Sequence, residues 1–192
     1  MPRVRNSKKL AVIIPGIGYG NDRPLLYYSA RILKNSGFDL LKVEFHDMPA
    51  DISEDDELKK LAVQLACEQT ESALAGVDFT AYQDIVFVGK SLGTIASAKY
   101  VADHGIPARQ IWLTPVEKSF SFGSDNVVAF IGDSDLWSDL GKVRRMAERL
   151  GVDLSVITGG YNHSLERGSL KSDLKALETV LTKIEDYIRI DK

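Results

Sequence analysis

The sequence has little cysteine, no marked charge imbalance and no long apolar run. Cys67 is the only cysteine among 192 residues, so no disulfide can form within the chain. Lysine and arginine number 24 against 27 aspartates and glutamates, and no basic run is long enough to follow a phosphate backbone. No apolar stretch approaches the length of a membrane span or follows the basic residues 1–9 as in a signal peptide. These features predict no nucleic-acid or membrane partner and a cytoplasmic location, and they leave the oligomeric state open.

The remaining composition predicts a globular protein without internal divisions. Hydrophobic residues make up 44% of the chain and charged residues 27%, and no repeat, low-complexity tract or Pro/Gly/Ser-rich linker interrupts it. We therefore expect one domain over residues 1–192. No group of histidine, cysteine and acidic residues has convincing metal-ligand spacing, and the acidic lead of residues 51–57 is interpreted as a solvated helix start.

Strand and helix signals alternate along the chain. The predicted strands are mostly continuous apolar runs, which are typical of parallel strands covered on both faces: Leu10–Ile14, Leu40–Phe45, Ile85–Val88, Gln110–Leu113, Val127–Ile131 and Leu154–Ile157. Helices are predicted between and after them: Pro24–Asn35, Asp55–Leu74, Leu92–Asp103, Ser138–Leu150 and Leu170–Ile190. This pattern predicts the α/β class, as a three-layer α/β/α sandwich with a doubly wound, mostly parallel sheet.

Two of these helices carry apolar stripes that we expect to face the core. On the second helix the stripe consists of Leu58, Leu61, Leu65 and Ala66. On the last helix it consists of Leu170, Leu174, Leu177, Leu181, Ile184 and Ile188.

The run Val86–Val88 leads into Gly89-Lys90-Ser91-Leu92-Gly93, a Gly-x-Ser-x-Gly sequence between a predicted strand and a predicted helix. This context is typical of a nucleophile elbow, in which a serine occupies a strained turn. Side chains at positions 89 and 93 would collide with the neighbouring strand and helix, which explains the glycines. Ser91 is therefore the candidate nucleophile.

The two partners that such a serine needs follow downstream in the order Ser–Asp–His. A loop after the fifth strand carries Asp133 and Asp135, of which we favour Asp135 as the acid, while either aspartate can instead cap the next helix. His163 lies in the loop after the last strand, where a neutral imidazole can take and return a proton. For His46 and His104 we prefer structural roles, although His46 can also line a pocket rim.

Glycines also follow the first strand, in Pro15-Gly16-Ile17-Gly18-Tyr19-Gly20. A loop of this kind can turn backbone N–H groups toward an oxyanion, and Leu92 N–H with Ile17 N–H, or Gly18 next, are the candidate donors. Two nucleotide-binding interpretations fail on spacing. The third glycine of a dinucleotide fingerprint falls on Asn21, and the first glycine of a P-loop falls on Asp84.

On these motifs, nearly the whole chain resembles the α/β-hydrolase superfamily, and most of all its short, lidless, dienelactone-hydrolase-like members. The resemblance assigns Ser91, Asp135 and His163 as the catalytic triad, with the backbone N–H groups of Ile17 and Leu92 as the oxyanion hole. It also implies a shortened sheet of about six strands with the elbow strand central. Pro15-Gly16 stands where members often have His-Gly.

The resemblance also implies an open site, because only residues 114–126 occupy the place where lids usually enter. We expect Tyr19, Trp137, Phe120 and Phe122 at its edge. The predicted function is a serine hydrolase that cleaves a small carboxylic ester or thioester through an acyl-enzyme, with a small-molecule acyl substrate and no cofactor or metal. The alternative is a hydrolase-fold binding module with little or no turnover.

Overall fold

The computed structural model describes residues 8–50, 52, 55–123 and 126–189. Its six strands form one sheet in the order β2-β1-β3-β4-β5-β6, and every neighbouring pair is parallel. The strands are β1 (Lys9–Ile14), β2 (Phe38–Lys42), β3 (Asp84–Lys90), β4 (Arg109–Leu113), β5 (Val127–Gly132) and β6 (Asp153–Ile157). The predicted six-stranded, doubly wound sheet is confirmed, and β3 lies at its centre.

The position of the second strand was predicted wrongly. It was expected at Leu40–Phe45, whereas β2 begins at Phe38, directly after a turn at Gly37 with φ of 85°. The pairing of β2 with β1 begins with Phe38 opposite Lys9 and ends with Lys42 opposite Ile13. The Val43 N–H still donates to the Ile13 carbonyl oxygen at 2.9 Å, and Glu44 and Phe45 lie beyond the residues that pair with β1.

Five helices cover the sheet: α1 (Pro24–Asn35), α2 (Asp56–Leu74), α3 (Leu92–Asp103), α4 (Leu140–Leu150) and α5 (Leu170–Arg189). Short 3₁₀ helices span Phe79–Ala81 and Glu117–Phe122. The helix α4 begins two residues later than predicted because the Asp139 carboxylate caps it, accepting the N–H of Lys142 at 2.9 Å. Ile190, the predicted end of the last helix, lies outside the described residues.

The helices divide between the two faces of the sheet, as a doubly wound fold requires. Side chains of α1 and α5 pack on one face, and those of α2, α3 and α4 pack on the other. From β1 the chain crosses to β2 at one edge of the sheet, and from β3 it continues through β4 and β5 to β6 at the other edge. The direction of winding therefore reverses between β1 and β3. Ligands of open α/β sheets bind at the carboxyl ends of strands at such a point.

The two predicted apolar stripes were only partly right. The helix α2 buries Ala62, Ala66, Thr70 and Leu74, and α5 buries Ala176, Val180, Ile184 and Ile188. Leu61 is 43% exposed, and Leu170 and Leu174 are 76% and 56% exposed. Each helix presents an i, i+4 series of mostly small or β-branched residues to its neighbours, which turns these leucines outward. Among the described residues, no helix is both long and apolar enough to cross a membrane.

Candidate active site

Ser91 forms a sharp turn between β3 and α3. Its backbone has φ of 53° and ψ of −118°, a combination that non-glycine residues rarely adopt. A Cβ on Gly89 would lie 2.5 Å from the carbonyl oxygen of Gly93 in α3, and one on Gly93 would lie 2.5 Å from that of Ile14 at the end of β1. The predicted steric need for both glycines is thereby confirmed, and the turn holds the Ser91 side chain at the carboxyl end of the central strand.

The side chains of Ser91, His163 and Asp135 form one hydrogen-bonded chain. His163 Nε2 lies 2.7 Å from Ser91 Oγ, and His163 Nδ1 lies 2.7 Å from Asp135 Oδ2. Because a carboxylate accepts, Nδ1–H donates to Asp135, and the free Nε2 lone pair accepts from the Ser91 hydroxyl. The other carboxylate oxygen of Asp135 accepts the Trp137 N–H at 2.9 Å. The three predicted side chains are brought together in the order that proton transfer from serine needs.

Asp133 points to a different partner. Its carboxylate accepts the backbone N–H groups of Gly159, Gly160 and Tyr161, at 2.8, 2.8 and 3.0 Å. These hydrogen bonds lower the pKa of Asp133, and the one from Gly159 has the largest effect. Asp133 therefore anchors the loop that carries His163, and Asp135 is the aspartate that contacts the imidazole.

Gly132 permits this arrangement at the end of β5. A Cβ there would lie 2.7 Å from the carbonyl oxygen of Asn162 and closer still to that of Tyr161. The acid loop and the histidine loop can therefore approach each other only because residue 132 has no side chain.

Burial controls the charge of His163. The side chain is 17% exposed, and desolvation lowers its pKa below the ordinary 6.5. The hydrogen bond to Asp135 opposes this effect, and the positive charge of Lys90 adds to it. The imidazole is therefore neutral at pH 7 and can accept a proton.

The two predicted oxyanion donors lie on either side of Ser91. Leu92 opens α3, so its N–H has no partner within the helix. Gly16 and Tyr19 exchange two backbone hydrogen bonds, of 3.1 and 3.3 Å, which close a turn and leave the N–H groups of Ile17 and Gly18 outside that pair. Ile17, Leu92 and Ser91 all line the same cavity.

That cavity has a volume of about 760 Å³, within the usual range for small-molecule sites. Its lining comes from the loops after β1, β3, β4, β5 and β6 and from α2: Ile17, Gly18, Tyr19, Ile52, Lys59, Val63, Lys90, Ser91, Leu92, Ile95, Val116, Glu117, Lys118, Ser134, Leu136, Trp137, Asn162, His163 and Ser164. Tyr19 and Trp137 line it, Tyr19 as a buried residue and Trp137 as an exposed one. Phe120 instead packs against Trp112 in the core, and Phe122 lines a neighbouring hollow.

The other two histidines lie outside the cavity. The N–H of His46 donates to Gln69 Oε1 at 2.8 Å, which ties the chain after β2 to α2. His104 caps the end of α3, and its Nε2 lies 2.9 Å from a Glu71 carboxylate oxygen. Both positions agree with the structural roles that we preferred.

The segment between β4 and β5 forms a wall of the cavity. Its described residues contain the 3₁₀ helix Glu117–Phe122, and Val116, Glu117 and Lys118 face the site. This segment supplies one side of the pocket without adding a lid domain, as the resemblance implied.

Sequence reasoning missed two parts of the site. Ile52, Lys59 and Val63 bring α2 and its lead into the cavity wall, and no local signal marks them. Lys90 is only 1% exposed. The sequence could have indicated this burial. Side chains alternate along β3, so residue 90 lies on the same buried face as Val86 and Val88. Within the described part of the chain, no group of three or more His, Cys, Asp or Glu side chains is arranged to hold a metal ion.

No protein-family model matches this chain, and no curated protein sequence is significantly similar to it. Several solved structures are similar to this chain in fold. A serine hydrolase homologue from Coxiella burnetii has a TM-score of 0.67 and 18% identity, over 93% of this chain and 85% of that one. A lidless α/β serine hydrolase from Xanthomonas campestris has a TM-score of 0.62 and 13% identity, over 100% and 88%.

A dienelactone hydrolase from Anabaena variabilis is similar to the same extent, with a TM-score of 0.65 and 16% identity over 95% of this chain and 86% of that one. At these identities the likeness establishes the fold. The chain therefore has the α/β-hydrolase fold in a minimal, lidless form.

Proposed function

We propose that this protein is a serine hydrolase that cleaves a small carboxylic ester or thioester. The observation that carries the proposal is the chain of 2.7 Å contacts from Ser91 Oγ through His163 to Asp135, beside a cavity of about 760 Å³. The strained backbone of Ser91 supports it, since such strain is typical of functional sites.

In the proposed reaction, Ser91 Oγ attacks the carbonyl carbon while His163 Nε2 takes the hydroxyl proton. Asp135 keeps Nδ1 protonated and stabilises the imidazolium that forms. The N–H groups of Ile17 and Leu92 hold the negative oxygen of the tetrahedral intermediate, and each such donor contributes about 3 kcal/mol to transition-state stabilisation.

Collapse of this intermediate breaks the bond to the leaving alcohol or thiol, which receives the proton from His163. Water then attacks the acyl-enzyme, His163 takes its proton and returns it to Ser91 Oγ, and the carboxylic acid is released. Every proton and electron pair is accounted for by substrate, water and these residues, so the proposal needs no cofactor. The proposal includes a small-molecule acyl substrate, a cytoplasmic location and no nucleic-acid or membrane partner.

The test is labelling of the purified protein with a fluorophosphonate probe, which reacts with activated serines. We expect labelling of the wild type and its loss in Ser91→Ala and His163→Ala. The matched controls are Ser36→Ala and His104→Ala, both outside the cavity, and both should label as the wild type does.

Labelled wild type then justifies a screen of short acyl esters and thioesters. A folded wild type that does not label would contradict the hydrolase proposal. That result would favour the binding module, because a binding site has no need of an activated serine.

A further inference from the structure

Among the described residues, the charged side chains that line the cavity are mostly positive. They are Lys59, Lys90 and Lys118, against the carboxylate of Glu117. Glu117 Oε1 already accepts the N–H of Asp139 at 3.0 Å. The lining therefore favours a negatively charged ligand over a neutral or positive one.

Lys90 is the unusual member of this set. Lys118 is exposed, and Lys59 is paired with Asp56 at 2.9 Å, whereas Lys90 is buried directly beside the candidate nucleophile. Its stem passes beneath the turn after β1, where a Cβ on Gly16 would lie 3.6 Å from Lys90 Cγ. Its ammonium ends 4.8 Å from the ring centroid of Tyr19, and both residues line the cavity.

The Lys90 ammonium lacks a hydrogen-bond acceptor among the residues that the structure describes. Tyr19 Oη accepts the N–H of Leu25 at 3.1 Å, so it is held at the start of α1. Both oxygens of Asp135, the nearby carboxylate, serve His163 and Trp137. A buried amine in this state is unfavourable, because no acceptor replaces the water that it has lost and the charge of Asp135 offsets the burial only in part.

Burial accordingly lowers the pKa of Lys90 from 10.5 to about 7, and the charge of Asp135 opposes the shift. Near neutral pH the amine is poised between its neutral and charged forms. An anion bound beside it would stabilise the charged form, so binding would be coupled to proton uptake.

We propose that Lys90 binds a carboxylate of the substrate, and that the protein acts on esters or thioesters that carry such a group. This inference rests on the serine-hydrolase function proposed above. Lys90 and Ser91 both line the cavity and the Lys90 charge acts on His163, so we place the carboxylate a few bonds from the scissile carbonyl. The Tyr19 ring and the Gly16 turn hold the lysine in place, and the ligand supplies the acceptor that the protein omits.

The kinetic test compares monoethyl succinate with ethyl 4-oxopentanoate, in which a methyl group replaces the charged oxygen. We expect the wild type to prefer the succinate in kcat/KM by roughly tenfold or more, as for one charge-assisted hydrogen bond. In Lys90→Met the ratio should fall to near one. Lys175→Met, which removes an equal charge from an exposed site on α5, should keep the wild-type ratio. Acid release in a pH-stat gives the rates.

An equal rate for both esters in the wild type, or an unchanged preference in Lys90→Met, would overturn the proposal. Circular dichroism establishes that each variant is folded before its ratio is used.

Binding of succinate itself separates this proposal from the hydrolase proposal. Calorimetric titration at pH 8, in buffers of different ionisation enthalpy, should show that wild type binds succinate with proton uptake and that Lys90→Met loses both. The titratable groups that interact with Lys90 are Tyr19, through its ring, and Asp135 and His163, through their charges, and Lys90→Met leaves all three in place. If Ser91 does not label but this difference is present, the anion site stands while the hydrolase proposal fails. If wild type and Lys90→Met bind alike, the anion site fails whatever Ser91 does.

Discussion

Asp133 and Asp135 are two residues apart, yet their carboxylates hold different parts of the site. Asp133 binds three consecutive backbone N–H groups of the histidine loop, while Asp135 binds the imidazole itself. One aspartate therefore fixes where the loop lies, and the other fixes the tautomer and orientation of His163. The two roles predict different consequences for the same substitution.

We expect Asp135→Asn to lower kcat/KM about 10³- to 10⁴-fold with little change in stability, because an amide at this position favours the wrong imidazole tautomer. Asp133→Asn should lower the free energy of unfolding by about 2 kcal/mol, because one of its acceptor oxygens becomes a donor. Its effect on kcat/KM should be about tenfold. Ester hydrolysis and urea unfolding of the two variants measure both quantities. The reverse pattern of activity would show that Asp133 is the triad acid.

The pH dependence of the reaction reports the state of His163. Only the neutral imidazole accepts the Ser91 proton, so kcat/KM should rise with pH as His163 loses its proton, with a midpoint below 6.5. Burial sets this low pKa, and the positive charge of Lys90 contributes. In Lys90→Met the pKa of His163 should rise, which moves the acid limb to higher pH.

The measurement is kcat/KM for the neutral ester ethyl 4-oxopentanoate between pH 4.5 and 8 in wild type and Lys90→Met, with Lys175→Met as the charge control. An acid limb at the same pH in all three proteins would show that Lys90 does not influence the imidazole.

At the scale of elements, the elbow depends on how closely β3, α3 and β1 approach one another. The turn leaves no room for a methyl group at Gly89 or Gly93, because backbone atoms of the neighbouring element occupy the space. Backbone cannot move aside as a flexible side chain can, so the elements themselves would have to separate.

We expect Gly89→Ala and Gly93→Ala each to lower the free energy of unfolding by about 3 kcal/mol and to abolish fluorophosphonate labelling. Gly76→Ala is the control, since a Cβ there meets nothing within 4 Å. It should be as stable as wild type or slightly more stable. Urea unfolding gives the stabilities, and wild-type stability in Gly89→Ala would show that the elements at the elbow can separate without cost.

The helices show a second effect at this scale. In α5 the leucines of the first turns are exposed, while Val180 and Ile184 are fully buried. The spacing of leucines in the sequence predicts that the segment is helical. It does not predict how the helix is rotated about its own axis, and hence which face is buried. That rotation follows from what the sheet and α1 present to the helix.

For the whole molecule, Lys90 couples the proposed site to stability. Its pKa is about 7 in the folded protein, against 10.5 for an exposed lysine. Between these values the unfolded chain binds a proton that the folded chain does not, so the free energy of unfolding rises with pH. Below pH 7 both states are protonated, and the destabilisation by the buried charge is fully present.

We expect Lys90→Met to be at least about 1 kcal/mol more stable than wild type at pH 7, because it replaces a desolvated amine by an apolar side chain of similar length. The difference in stability should shrink as pH rises from 7 to 9. Urea unfolding across this range tests it, and the comparison cancels the contributions of Tyr187 and Cys67, whose pKa values burial raises. A difference that is constant with pH would show that Lys90 stays charged in the folded protein.

Local sequence signals were enough to predict the succession of strands and helices, the elbow at Ser91 and the loops that carry the partner residues. These features depend on local signals: continuous apolar runs, caps, and glycines where a side chain would collide. Because parallel strands bring their carboxyl ends to one edge of the sheet, chain order alone predicted that Ser91, an aspartate and His163 would meet.

Three features depend on packing between distant parts of the chain: which aspartate contacts His163, which helix faces are buried, and the place of Lys90 and the start of α2 in the cavity. His163 is 28 residues from Asp135 and 72 from Ser91 in the chain, so their contact depends on how distant loops pack. A choice between carboxylates two residues apart, or the rotation of a helix by one residue, changes little in local sequence preference. Both are fixed by the close packing of helices, strands and loops, which allows each side chain a single position.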